Sequence, residues 1–284
     1  MDLPQSVSDL TALLRSGGYL ADRGLATAAF VAMSLGRPLL LEGEVGVGKT
    51  EIGKVLAAVL GRSLIRLQCY EGIDTNQALY EWDYARQLLA VRAGAPDLGE
   101  LFGASFLVER PLLHAVRAGS SAVLLIDEVD RADDEFEAFL LEVLSDFQVT
   151  IPEVGTIAAA SPPLVVLTSN RTRELHDALK RRCMYHWIGY PPPDREVEIV
   201  LLRQPSLGEA LARKVVDAVT RLRKLDLAKP PGVAETIDWV RTLDLLGETS
   251  LTPDVVSSTL GAVVKERDDL HLVQGSLRDI APDA

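Results

Sequence analysis

Apolar residues in the first two-thirds of the chain occur in short runs that turns and helical periods separate. The runs are Leu39–Leu41, Leu64–Leu67, Val123–Ile126, Leu164–Leu167 and Tyr185–Ile188. Short continuous runs are typical of strands buried on both faces, as in a parallel sheet covered by helices. From about Leu39 to Tyr190 the pattern therefore predicts an α/β fold with a parallel five-stranded sheet.

Helical spacing is clearest in two segments of this region. One begins after Thr50 and the other after Asp133, and apolar residues recur in both at every third or fourth position. Asp133 and Asp134 stand where the second helix should begin, and acids there suit the positive end of the helix dipole.

Three consecutive prolines, Pro191 to Pro193, interrupt the pattern, and beyond them the strand signal stops. Helical periods continue, most clearly over about Val233–Leu246 and Pro253–Arg267. We therefore expect residues 1–190 to form the α/β domain with an N-terminal helical segment. Residues 191–284 should form a small all-helical domain, with the last dozen residues as a loose tail.

Composition narrows the function classes. The 284 residues include 41 acids against 29 Lys and Arg, a net charge of −12, which argues against nucleic acid as the main partner. Cys69 and Cys183 form no CxxC pair, and we expect buried, reduced thiols. No signal peptide and no apolar stretch of about 20 residues is visible. These features predict a cytoplasmic protein without a membrane span.

One segment fits the phosphate-loop pattern GxxxxGK[ST] at every fixed position. It reads Gly43-Glu44-Val45-Gly46-Val47-Gly48-Lys49-Thr50, between a predicted strand and a predicted helix. Glycines let backbone N–H groups converge on phosphate oxygens, and a helix N-terminus favours anions. Lys49 should reach the β- and γ-phosphates of ATP, and Thr50 should bind Mg²⁺. Glu51, the next residue, completes the predicted cofactor-binding set.

An acidic pair ends the third predicted strand. Ala122 to Ile126 are apolar, and Asp127 and Glu128 follow. Ligands of parallel sheets bind at the carboxyl ends of the strands. We expect Asp127 to hold Mg²⁺ through its water shell, and Glu128 to orient and deprotonate the attacking water. A purely structural role for both acids is the alternative.

Two further positions are candidate catalytic residues. Asn170 ends the fourth strand, where it could hydrogen-bond the γ-phosphate or the water, or simply close a turn. Arg182, in Lys180-Arg181-Arg182, could stabilise transition-state charge in a neighbouring subunit, or belong to a solvated basic patch. Arg131 is a weaker candidate for a role between subunits.

Several segments together resemble the MoxR group of AAA+ ATPases. They are GEVGVGKT, LLIDEVDRADDEFEAFLLEVLSDFQVTIPE, VLTSN and LKRRCMYHW, and the likeness covers nearly the whole chain. The segments CYEGIDTNQALYEWDYARQLL and GVAETIDWVRTL look closer still to the CoxD branch. That branch assists maturation of carbon monoxide dehydrogenase-like molybdenum hydroxylases.

The resemblance implies an AAA+ α/β domain with a helical lid, assembled into a homo-oligomeric ring of six subunits with ATP between neighbours. It implies that Asn170 is the sensor-1 residue, Arg182 the arginine finger, and Gln148 to Ala160 an inserted hairpin. A von Willebrand A domain protein would be the usual partner, and a metalloenzyme precursor the client. Glu235 stands where similar ATPases often carry a sensor-2 arginine, and Arg241 could replace it.

Three aromatic residues follow the second strand: Tyr80, Trp82 and Tyr84. They could line the pore of a ring and grip an extended polypeptide, or pack within their own domain.

The leading hypothesis is thus an ATP-driven remodeller of a client protein. A motor similar to the small ATPase subunit of magnesium chelatase has the same chemistry and a different client. A slowly hydrolysing, nucleotide-gated scaffold is the third hypothesis, although a scaffold has no need of the water-activating Glu128.

Overall fold

The computed structural model describes residues 3–94 and 101–281, which form nine strands and fourteen α-helices. The strands are β1 Leu39–Gly43, β2 Ser63–Gln68, β3 Tyr80–Trp82, β4 Leu107–Glu109, β5 Ala122–Asp127, β6 Gln148–Ile151, β7 Gly155–Ala158, β8 Leu164–Ser169 and β9 Met184–Ile188. The helices are α1 Val7–Ser16, α2 Arg23–Leu35, α3 Lys49–Leu60, α4 Thr75–Ala78, α5 Tyr84–Arg92, α6 Pro111–Ala118, α7 Asp134–Asp146, α8 Asp177–Arg182, α9 Pro193–Arg203, α10 Glu209–Leu222, α11 Val233–Leu246, α12 Pro253–Thr259, α13 Arg267–Gln274 and α14 Leu277–Ile280.

The main sheet has five strands in the order β2-β5-β8-β1-β9. β2 pairs with β5, β5 with β8 and β8 with β1, all in parallel, which confirms the predicted parallel sheet. The three central strands are buried throughout, whereas the edge strand β2 contains buried and exposed residues and the edge strand β9 alternates half-buried and exposed ones. Because the central strands run parallel, Gly43, Asp127 and Ser169 end at the same edge of the sheet.

Helices cover this sheet because each carries an apolar stripe. In α7 the stripe includes Phe136, Leu140 and Val143, which join the core formed around Leu124 and Val165. The start of α7 is fixed by Asp133, whose carboxylate accepts a hydrogen bond from the Phe136 N–H at 2.9 Å. Such a cap satisfies a backbone donor that has no partner within the helix.

Two antiparallel ribbons lie outside the main sheet. β6 and β7 form the hairpin that the resemblance implied, with Gln148 opposite Ala158. β3 and β4 pair Tyr80 with Glu109 and were not predicted. Each of these two strands has three residues, too few to establish a period of two.

The residues divide into two compact units by their contacts. The first comprises the chain up to Gly17, Ala21–Gly43 and Lys49–Trp187, and the second comprises Gly18–Leu20, Glu44–Gly48 and the chain from Ile188 onward. The loop residues Glu44–Gly48 thus group with the helices that follow β9.

The second unit is helical, and its core surrounds Trp239, which is fully buried. The Trp239 indole N–H donates to the Thr259 hydroxyl at 2.8 Å, at the point where α12 ends. The prediction of one helical stretch over Pro253–Arg267 is wrong, because α12 ends at Thr259 and a 3₁₀ turn over Leu260–Ala262 follows it. The predicted loose tail is also wrong as far as Ala281, because α14 forms and Ile280 is buried.

Both cysteines are buried and free, as expected. Burial raises the pKa of each thiol to about 12, so neither is a thiolate near neutral pH. Within residues 3–94 and 101–281, no helix is long and apolar enough to cross a bilayer.

Candidate functional site

Lys49 is the first residue of α3, and its side chain points back to the end of β1. The residue is 6% exposed, and its ammonium group donates to the Gly43 carbonyl at 2.8 Å. A buried ammonium is costly unless acceptors surround it. The position suits a cation that exchanges this carbonyl for phosphate oxygens.

Thr50 and Asp127 meet at the carboxyl edge of the sheet. The Thr50 hydroxyl donates to Asp127 Oδ1 at 2.8 Å, and the Thr168 hydroxyl donates to the same oxygen at 2.6 Å. Hydroxyl and carboxylate oxygens are the ligands that Mg²⁺ takes in proteins, so these side chains fit the predicted metal.

Arg66 also contacts Asp127, which the sequence analysis did not predict. Its Nε and one terminal nitrogen lie 3.1 and 2.5 Å from Asp127 Oδ2. Arg66 lies on β2, the strand beside β5. The only signal in the sequence was a basic residue within the apolar run Leu64–Leu67.

Glu128 has an uncommon backbone conformation for a residue with a side chain. Its φ and ψ are 55° and 49°, in the left-handed region, where strain costs about 1–3 kcal/mol. The Glu128 N–H donates to the Thr168 hydroxyl at 2.9 Å, which anchors the backbone beside Asp127. The carboxylate lies 3.1 Å from the Arg131 guanidinium, so Arg131 is a partner of Glu128 within the same chain.

Asn170 follows β8, and the buried carboxylate of Asp130 holds the turn that it begins. Asp130 is 1% exposed. It accepts from the Asn170 N–H at 3.2 Å, the Thr172 N–H at 2.8 Å and the Thr172 hydroxyl at 2.7 Å. Asp130 therefore positions Asn170, a role that the sequence analysis did not predict.

We expect Asp130→Ala to lower the free energy of unfolding by about 2–4 kcal/mol, because it leaves buried N–H groups without an acceptor. The exposed Asp217 of α10 provides the control, Asp217→Ala, which should change stability by less than about 0.5 kcal/mol. Urea unfolding followed by circular dichroism measures both. Equal stabilities of the two variants would show that Asp130 does not hold this turn.

Arg182 ends α8 and is exposed. Its guanidinium donates to the Ser145 hydroxyl near the end of α7, and its carbonyl accepts from Arg37 Nε at 2.9 Å. Arg182 therefore lies at the surface of the first unit, where a neighbouring chain has access to it. Glu51, in the first turn of α3, pairs with Lys54 at 3.6 Å.

The loop residues of the phosphate-loop segment, Glu44, Val45, Gly46, Val47 and Gly48, belong to the second unit. Gly46 and Gly48 have φ values of 75° and 95°, which favour glycine. The Glu44 N–H donates to the Ile188 carbonyl at 3.2 Å. Val45 is 63% exposed.

The start of α11 contacts this loop at Gly46. The Ala234 N–H donates to the Gly46 carbonyl at 3.0 Å, and a Cβ atom at Gly46 would lie 2.8 Å from Glu235 Oε2. The same oxygen accepts from the Gly232 N–H at 2.9 Å. Glu235 thus places a carboxylate beside the loop, whereas Arg241 is exposed and lies 3.6 Å from Asp238.

The three aromatic residues are in different environments. Tyr80 and Trp82 lie on β3 with an edge-to-face arrangement and a centroid distance of 6.0 Å, and Trp82 is buried. Tyr84 begins α5 and is 69% exposed. Packing within the domain thus accounts for Trp82, and Tyr84 is the aromatic side chain of the three that is accessible to a ligand.

Comparison with known proteins agrees with this geometry. Residues 38–183, just over half of the chain, match the AAA domain family of the dynein-related subfamily. The chain is 29% identical over 205 residues to the uncharacterized protein YehL of Escherichia coli (strain K12), and 28% identical over 170 residues to protein NorQ of Paracoccus denitrificans. It is 26% identical over 222 residues to protein CbbQ of Hydrogenophilus thermoluteolus.

These three matches cover 68%, 57% and 75% of this chain, and 53%, 56% and 76% of the relatives. The chain thus spans about half the length of the first two. A solved structure of a Thermotoga maritima RuvB mutant has a TM-score of 0.52 at 16% identity, over 99% of this chain and 81% of that chain. This likeness shows the fold.

The family match and the fold agree with the arrangement of Lys49, Thr50 and Asp127 at the sheet edge, and residues 38–183 form an ATPase domain of the AAA type. The chain belongs to the AAA domain family, in its dynein-related subfamily.

Proposed function

We propose that this protein is a Mg²⁺-dependent ATP-hydrolysing motor that remodels a client protein during maturation of a molybdenum hydroxylase-type metalloenzyme. The observation that carries the ATPase part is the hydrogen-bonded group of Thr50, Asp127 and Thr168, with Glu128 fixed next to it by the same Thr168. Metal-binding oxygens and a candidate base therefore share one edge of the sheet.

The residues have separate tasks in hydrolysis. The backbone N–H groups of residues 44–48 bind the phosphates, and Lys49 exchanges the Gly43 carbonyl for β- and γ-phosphate oxygens. Thr50 and Asp127 would hold Mg²⁺, and the bound metal would neutralise charge on the phosphates.

Glu128 orients a water molecule and accepts its proton while the water oxygen bonds to the γ-phosphorus. The bond from the γ-phosphorus to the bridging oxygen breaks, and ADP and phosphate leave. Asn170, on the turn that Asp130 holds, donates a hydrogen bond to the γ-phosphate or to the water. The pair with Arg131 is the contact that Glu128 must loosen before it binds this water.

The remodelling part rests on the relatives and on the resemblance to the CoxD branch. NorQ and CbbQ are MoxR-type proteins, and both match more than half of this chain. A client of the metalloenzyme class and a partner with a von Willebrand A domain are what the resemblance to the CoxD branch implies. Glu128 favours a motor over a scaffold, since a scaffold requires binding without hydrolysis.

We propose that the motor is a ring of six subunits in which Arg182 of one subunit completes the ATP site of its neighbour. Arg182 is exposed on α8 and its known contact is the hydroxyl of Ser145, so a neighbouring phosphate can replace that contact. An arginine supplied in this way increases the rate about 10³–10⁵-fold.

Mixing two inactive variants tests this arrangement. The Arg182→Ala variant keeps Lys49 in its own ATP site, and the Lys49→Ala variant keeps Arg182. In a mixed ring, some sites therefore combine Lys49 from the first variant with Arg182 from a neighbouring subunit of the second. We expect each variant alone to have little turnover and the mixture to recover a clear fraction of the wild-type rate. Wild-type turnover by Arg182→Ala alone would contradict the role of Arg182 in the neighbouring site. Arg181→Ala removes the same charge from the adjacent position and is the control.

A trapped motor tests the client. Tagged Glu128→Gln protein, expected to hold ATP without hydrolysing it, is recovered from a lysate of the source cells and its bound proteins are identified by mass spectrometry. We expect a molybdenum hydroxylase precursor, with or without a von Willebrand A protein, which Lys49→Ala does not retain. Recovery of a chelatase subunit would favour the metal-insertion alternative, and identical profiles from both variants would favour the scaffold.

A further inference from the structure

The Mg²⁺-binding acid of this chain carries an internal counter-ion. Asp127 accepts four hydrogen bonds: Oδ1 from the hydroxyls of Thr50 and Thr168, and Oδ2 from two nitrogens of Arg66. The Asp127 side chain is 3% exposed, and that of Arg66 is 48% exposed. The carboxylate is thus fixed, while its cationic partner reaches in from the solvent side of β2.

A cation is needed there because acids are concentrated at this edge. Asp127, Glu128 and Asp130 lie within four residues, and both aspartates are buried. Burial and, to a smaller extent, the charges of Asp127, Asp130 and Glu128 together raise the pKa of the nearby Cys69 thiol to about 12. A buried carboxylate without a partner is strongly destabilising, and Arg66 supplies Asp127 with a cationic partner.

Arg66 has an alternative acceptor close by. The same terminal nitrogen that contacts Asp127 also donates to the Gln68 side chain, two residues further along β2. Residues two apart on a strand share a face, so the guanidinium can move toward Gln68 by rotations of its own side chain. Release of Asp127 Oδ2 therefore requires no change in the sheet.

We propose that Arg66 is a positioning residue that binds Asp127 Oδ2 and competes with Mg²⁺ for this carboxylate. This inference rests on the proposed function, because it assumes that Asp127 holds the metal. Because Mg²⁺ competes with the guanidinium for Asp127, the metal binds more weakly than it would bind to the same oxygen ligands without Arg66.

Direct metal binding tests this without measuring hydrolysis. Mn²⁺ is titrated into the full chain in the presence of ADP, and free Mn²⁺ is followed by electron paramagnetic resonance. We expect Arg66→Gln to bind Mn²⁺ on the order of tenfold more tightly than the wild type, because a competing charge-assisted pair is removed. Arg66→Lys, which keeps the charge without the bidentate geometry, should lie between the two.

Arg117→Gln is the matched control, since Arg117 forms an exposed pair with Glu109 at 2.8 Å on the same unit. It should bind Mn²⁺ as the wild type does. If a folded Arg66→Gln variant binds Mn²⁺ with unchanged or lower affinity, the proposal is overturned, because a pair with a purely structural role predicts no gain in affinity. If Arg66→Gln fails to fold, the same comparison is made with Arg66→Lys, where wild-type or weaker affinity is the contradicting result.

Asp127→Asn separates this inference from the proposed function. If Asp127→Asn loses Mn²⁺ binding while Arg66→Gln keeps the wild-type affinity, Asp127 remains the metal ligand. Only the competition by Arg66 is then excluded. Wild-type Mn²⁺ binding by Asp127→Asn would instead remove Asp127 from the metal site, and the proposed mechanism with it.

Discussion

Lys49→Ala is expected to weaken ATP binding by at least about 100-fold, because charge-assisted contacts with phosphate oxygens are lost from a water-poor site. The effect should be large because Lys49 is 6% exposed and its ammonium is held at the end of β1. A fluorescent ATP analogue, titrated at equilibrium with Mg²⁺ present, measures the dissociation constant.

The same helix provides the control. Lys54 is one turn further along α3, its side chain is 49% exposed, and it pairs with Glu51. Lys54→Ala should bind ATP as the wild type does, because surface ion pairs contribute little. Equal affinities of Lys49→Ala and Lys54→Ala would show that the loop does not bind ATP through Lys49.

Glu128→Gln is expected to bind ATP normally and to lower turnover by about 10²–10⁴-fold, the usual contribution of a general base. Glutamine keeps the size and the hydrogen bonding of the side chain but cannot accept the proton of the attacking water. The backbone N–H of residue 128 still reaches Thr168, so the left-handed conformation and the neighbouring Asp127 should be retained.

Phosphate release under saturating ATP measures this effect, with an equilibrium titration to confirm binding. Glu142→Gln, at an exposed position of α7, is the control and should hydrolyse ATP at the wild-type rate. Turnover of Glu128→Gln within about threefold of the wild type would exclude Glu128 as the base, since a general base is worth far more.

Much of the fold could be predicted because the central strands are buried on both faces. Such strands must be apolar throughout, so β1, β5 and β8 were visible as continuous runs. The loop glycines were recognisable for a related reason, since positive φ values at Gly46 and Gly48 restrict these positions to few residue types.

Side-chain contacts between strands could not be predicted in the same way. Arg66 contacts Asp127 only because β2 pairs with β5 in a register that puts Gln68 opposite Asp127. Asp130 holds the Asn170 turn because β8 lies next to β5, although 40 residues separate the two side chains in sequence. Both contacts depend on strand order and register, which the hydrophobic pattern of one sequence does not specify.

The helices of the second unit show a different limit. Helical periods predicted α11 with its observed bounds, but they did not indicate where α12 ends, because apolar residues continue through the 3₁₀ turn after Thr259. Val273 and Ile280 are buried beyond that point, so the end of the chain as far as Ala281 packs on the helical core.

ATP turnover per protomer as a function of protein concentration, with Mg²⁺ present and oligomer mass followed by light scattering, tests the central claim most directly. We expect turnover to rise with concentration in parallel with assembly and then to reach a plateau, because each ATP site requires Arg182 from a neighbour. Full turnover by a chain whose mass remains that of a monomer would contradict it, because every site would then be complete within one subunit.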